Sequence, residues 1–83
     1  MLAEIIGVRR GIDFKADGGE HIQGTKLFWA FVEDGVEGRM CEGKFFRTSH
    51  PLYRTVFGLE PGQKVQVTFG RKNAIDGIQV VND

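Results

Sequence analysis

Twelve glycines are spread through this chain of 83 residues, and the runs between them are rich in β-branched and aromatic residues. Glycine weakens a helix interior but suits turns and bulges, so this punctuation directs the chain toward short strands joined by tight connections. Helical periodicity is scarce. The first run, Leu2 to Phe14, sets Leu2, Ile6, Val8, Ile12 and Phe14 on one side, with Gly7 and Gly11 where bulges would relieve a long curved strand. Lys15 to Glu20 contains Asp17-Gly18-Gly19, a turn signal, because glycine takes positive φ without steric cost.

A second run, His21 to Glu33, contains the apolar stretch Leu27-Phe28-Trp29-Ala30-Phe31-Val32, and Asp34-Gly35 with Glu37-Gly38 marks the next hairpin. Arg39 to Thr48 forms a third strand by the same criteria. Ser49-His50-Pro51 has the form of a helix start, with Ser49 as N-cap and Pro51 in the first turn. The i,i+4 pairs Leu52/Val56 and Tyr53/Phe57 give that helix an apolar side, and Gly58 is placed to end it in a left-handed conformation. Pro61-Gly62 suits a type II turn. Val65, Val67 and Phe69 then alternate with Lys64, Gln66 and Thr68, and after a turn at Asn73 to Gly77 a last strand carries Ile78 and Val80.

Three strands, a short helix and a two-stranded hairpin predict an all-β protein: a five-stranded OB-fold-like barrel with one short helix between strands 3 and 4, spanning residues 1–83 as a single domain. An SH3-like barrel is the alternative. Hydrophobic residues make up 41% and charged residues 27%, a globular balance without a disordered tract. The opening residues have Glu4 inside their apolar run and Arg9-Arg10 after it, the reverse of a signal peptide, and nothing reaches transmembrane length, so a cytoplasmic location away from membranes is expected.

The residue patterns of catalysis are missing from the sequence. His21 and His50 have no HxH or HxxxH spacing, the glycines form neither GxGxxG nor a P-loop, and Asp13, Asp17 and Glu20 suit a solvated loop. Cys41 is the single cysteine, which excludes an internal disulfide, and it is expected to be a buried or half-buried strand residue. A non-enzyme without cofactor or metal is the expectation.

The second strand is apolar on both faces, one face more than a barrel wall requires. With Phe28, Ala30 and Val32 inward, Leu27, Trp29 and Phe31 form an outer row able to stack on unpaired bases. Arg9, Arg10, Lys26, Arg39, Lys44, Arg47, Arg71 and Lys72 would follow the phosphates. Lysine plus arginine equals aspartate plus glutamate at 11 each, so such a role needs a local patch rather than overall charge. The competing reading covers the same apolar face with the helix or with a partner chain, in a protein-interaction module.

Gln23-Gly24 ahead of Leu27-Phe28-Trp29, the Glu33-Asp34-Gly35 hairpin, and Gly62 to Phe69 followed by Ile78-Gln79-Val80-Val81 together resemble the small helix-destabilising proteins of filamentous phages and related mobile elements. The resemblance implies an OB-fold that binds single-stranded DNA or RNA, with Leu27, Trp29, Arg9 and Arg10 on the nucleic-acid face and a homodimer as the usual assembly. The chain departs from that family in its neutral charge and in the helix-like segment Pro51 to Phe57.

Overall fold

The computed structural model describes residues 1–81. Five strands form one antiparallel sheet: β1 (Leu2–Lys15), β2 (His21–Phe31), β3 (Met40–Arg47), β4 (Lys64–Phe69) and β5 (Ile75–Val81). A short helix, α1 (Tyr53–Phe57), lies between β3 and β4, as expected, and the spatial order is β3-β2-β1-β4-β5. The chain order is the OB-like one, but the sheet is open, with β3 and β5 as its edges and no pairing between them.

β1 is the central strand. Leu2, Ala3 and Glu4 pair with β4, while the strand pairs with β2 from Ala3 to Lys15, interrupted by two register shifts. The register shifts between Ile5 and Gly7 and again between Arg9 and Ile12, so both expected bulge sites are irregular, and Gly11 has φ 71°. The first shift reverses the expected facing. Ala3 and Ile5 are buried, Leu2 and Ile6 are exposed, and the extra residue at Ile6 lets Ile5 and Val8 meet Trp29 and Leu27 on one face despite their odd spacing.

The core is built from the inner face of this sheet and the segment after α1. Ile5, Leu27, Trp29, Phe46, Val65, Val67 and Ile78 pack with Val56 of α1 and with Leu59 just beyond it. Val65 and Val67 alternate inward as expected, whereas Phe69, the last residue of β4, is exposed where the β4–β5 register shifts.

The helix is shorter than the sequence suggests. Ser49 is not its cap: successive turns run through this segment, with His50 N–H donating to Arg47 O and Tyr53 N–H to His50 O. Leu52 precedes the helix without a side-chain cap, its N–H donating to His50 Nδ1 at 3.0 Å. Gly58 ends the helix at φ −87°, not in the left-handed region. The Gly58 and Leu59 N–H groups donate to the Thr55 and Val56 carbonyls, and Arg10 holds the Phe57 carbonyl.

Gly24 is required by close approach. A Cβ there would collide with the Phe46 carbonyl oxygen and the Phe45 ring of the neighbouring strand. Gly24→Ala is therefore expected to cost about 1–3 kcal/mol, as overpacking does, read as a lowered urea midpoint at unchanged slope.

Candidate functional site

Cross-strand partners point to the same side of a sheet, so the buried residues fix both faces of β1–β2–β3. Thr25, Leu27 and Trp29 face inward, and alternation sets Gly24, Lys26, Phe28 and Ala30 on the other face, where Gly24 and Ala30 are buried and Phe28 is exposed. The outer face then consists of rows read straight from the register. Arg9, Lys26 and Phe45 form one row; Gly7, Phe28 and Gly43 form the next; Glu4, Ala30 and Cys41 form a third.

This is the opposite of the expected facing. Leu27 and Trp29 are fully buried and Phe31 is half-buried against the core, so none of them forms an outer stacking row. An indole is the largest apolar group available to so small a core, and its N–H finds an acceptor in Glu42 Oε1 at 2.9 Å. Val32, expected inward, is exposed.

The outer aromatic groups are Phe28 and Phe45, exposed at 36% and 37%. Phe28 spreads over the space that side chains at positions 7 and 43 would fill: a Cβ on Gly7 would lie 3.5 Å from its Cδ2, and one on Gly43 3.2 Å from its Cε1. Phe45 leans over Gly24 in the same way. Glycines thus clear a floor on which both rings rest beside open solvent. Lys26 Nζ stands 5.3 Å from the Phe28 ring centroid, within cation–π range. Phe14, opposite Ile22 farther along the same face, is also exposed.

The basic residues divide by what holds them. Arg9 is exposed in the row with Lys26 and Phe45 and has no ionic or hydrogen-bonding partner among the described residues. Arg10, at the second bulge of β1, is committed to the fold: Nε donates to the Phe57 carbonyl at 2.8 Å, NH2 donates to the Leu59 carbonyl, and the guanidinium lies 5.6 Å from the Phe57 ring centroid. Glu60 stands 3.6 Å from the same group. Arg39 pairs with Glu4 at 2.8 Å and Arg47 with Glu20 at 2.9 Å. Lys44 lies opposite Leu27, off the outer rows, and Arg71 and Lys72 are exposed in the β4–β5 connection.

Cys41 is exposed on β3, not buried as expected. His21 Nε2 contacts the Asp13 carboxylate, and Gln23 donates to the other Asp13 oxygen at 3.2 Å. Among the described residues no three His, Cys, Asp or Glu side chains gather in a metal-holding group. No helix among them is long and apolar enough to cross a membrane. No protein-family model, curated protein or solved structure matches the chain.

Sequence reasoning missed Phe28 and Phe45. A signal for them exists in the glycines at 7, 24 and 43, but it becomes legible only once the register sets each glycine beside a ring.

Two measurements check this assignment. Trp29 is expected to emit at a blue-shifted wavelength and resist iodide quenching, and Trp29→Ala is expected to cost about 3–5 kcal/mol of stability. Arg10→Ala is expected to lower stability by about 1–2 kcal/mol, whereas Arg9→Ala changes it by less than about 0.5 kcal/mol.

Proposed function

We propose that the protein binds single-stranded nucleic acid, DNA in the first instance, through the outer face of β1–β2–β3 and without catalysis. The observation that carries this reading is the pair of part-exposed rings, Phe28 and Phe45, resting over glycines beside Lys26 and the unpartnered Arg9. Stacking on an aromatic ring uses the π face that every base has, so it suits sequence-tolerant binding of unpaired strands. Phe28 and Phe45 stand on adjacent strands in successive rows, a diagonal of about 7–8 Å. Neighbouring nucleotides of an extended strand can meet such a pair, each base on one ring, while Arg9 and Lys26 take the phosphate between them. Duplex DNA offers no free base face and is the weaker ligand. The layout resembling phage helix-destabilising proteins points the same way, with the stacking role moved from Leu27 and Trp29 to Phe28 and Phe45.

The test is titration of a dye-labelled oligothymidine followed by anisotropy. Phe28→Ala and Phe45→Ala are each expected to cost about 1–3 kcal/mol of binding with the circular dichroism spectrum retained. Affinity should fall with salt at a log–log slope of about 0.7 per phosphate neutralised, and Arg9→Ala should reduce that slope. An affinity untouched by both phenylalanine substitutions, or no binding of DNA or RNA at low salt, overturns the proposal. The outer face is then that of a protein-interaction module.

A further inference from the structure

We propose that the outer face carries a further position for the bound strand: a small apolar slot beyond Phe28 that takes a thymine base and prefers it to uracil. The proposal deepens the nucleic-acid reading and rests on it, because the slot lies on the face that carries Phe28 and Phe45. Glu4 and Ala30 stand opposite each other on that face, one row beyond Gly7 and Phe28. Past them lies a cavity of about 150 Å³ to which Leu2, Ala30 and Val32 contribute apolar side chains, with Glu4, Arg39 and Lys64 around it. Ala30 is buried, whereas Leu2 and Val32 are exposed at 56% and 77%. A single methyl group at Ala30, between the larger Phe28 and Val32, leaves room for the depression. The ion pair of Arg39 and Glu4 spans β2 here, since Arg39 lies just ahead of β3 and its NH1 donates to Glu4 Oε1 of β1 at 2.8 Å. It fences the slot with charges that cancel, so a phosphodiester can pass without strong repulsion.

Size and chemistry together select the occupant. A space of about 150 Å³ lined by apolar side chains suits one six-membered ring, as cavities that admit benzene show. A pyrimidine has one such ring. The slot stands three residues along β2 from Phe28, roughly 10 Å at the rise of a strand, within reach of a base one or two nucleotides beyond the one on that ring. Among the pyrimidines thymine alone carries a methyl group, and apolar contact with that methyl is a direct way of recognising it. Burying one such group is worth about fourfold in affinity. Uracil lacks it, so the slot favours DNA over RNA without any contact to a 2′-hydroxyl.

Competition between oligothymidine and oligodeoxyuridine of equal length, followed by anisotropy, tests the slot, because the two differ only in their methyl groups. The native protein is expected to bind oligothymidine about fourfold more tightly or better. Ala30→Val, which fills the slot from its floor, should abolish that preference. Should Ala30→Val fail to fold, Leu2→Ser combined with Val32→Ser removes the apolar walls at exposed positions and should abolish it too. Phe28→Ala should weaken both oligomers alike and keep the preference, which separates the slot from methyl contacts with the rings. Equal binding of the two oligomers by the native protein overturns the proposal and leaves the nucleic-acid reading standing. A preference that survives the slot substitutions, or that disappears with Phe28→Ala, overturns it as well. Failure to bind either oligomer at low salt removes both readings together.

Discussion

The position of β1 between β2 and β4 governs the rest of the molecule. Its first residues are the sheet's link between the β1–β2–β3 half and the β4–β5 hairpin, through the pairs at Leu2, Ala3 and Glu4. Because side chains alternate strictly, a straight β1 could not send both Ile5 and Val8 into the core. The bulge at Ile6 resolves that conflict, and the second irregularity near Gly11 frees Arg10 to reach carbonyls at Phe57 and Leu59, 47 and 49 residues away. An arginine that the sequence offers as a phosphate ligand becomes the clasp joining the sheet to the end of α1. At that helix end a positive charge meets carbonyls that have no helical partner.

The candidate site follows from the same inner packing. Burying Trp29 sends Phe28 outward, and burying Phe46 does the same for Phe45, since neighbours in a strand face opposite ways. Large outward rings would crowd cross-strand side chains, and glycines at 7, 24 and 43 remove that crowding. Core and outer face are therefore one arrangement. A change of parity in β2 would lose both the indole's bond to Glu42 and the glycine floor under the rings.

The parts legible in the sequence are those set locally. The chain order of the strands, the first two hairpin turns, the helix between the third and fourth strands and the inward alternation of Val65 and Val67 follow from residue type and spacing over a few positions, whereas the turn expected at Asn73 to Gly77 falls earlier, at residues 70–74, and Ile75 to Gly77 already belong to β5. The facing of β1 does not, because one inserted residue reverses alternation downstream of it. Nor does the facing of β2, whose run from Leu27 to Val32 is apolar on both sides and gives periodicity nothing to choose between. The choice is made by partners distant in sequence: Ile5 and Leu59 share the core with Trp29, and Glu42 takes its N–H. The role of Arg10 is hidden for the same reason, since nothing near Arg9-Arg10 distinguishes the residue that anchors the fold from the one left exposed.

Charge balance constrains what kind of ligand the outer face can hold. With 11 basic and 11 acidic residues, the chain exerts no strong long-range pull on a polyanion. Of the basic residues first associated with the site, Arg10, Arg39 and Arg47 are engaged by the protein's own carbonyls and carboxylates, and releasing them would forfeit those contacts. Arg9 and Lys26 remain beside the rings. On the proposed reading, two cations and two aromatic rings would make an interface in which stacking carries much of the affinity, and stacking is far less sensitive to salt than phosphate contact. A surface binding in that way would discriminate by whether bases are unpaired rather than by how many phosphates a ligand has, which would set it apart from a basic groove that takes duplex and single strand alike.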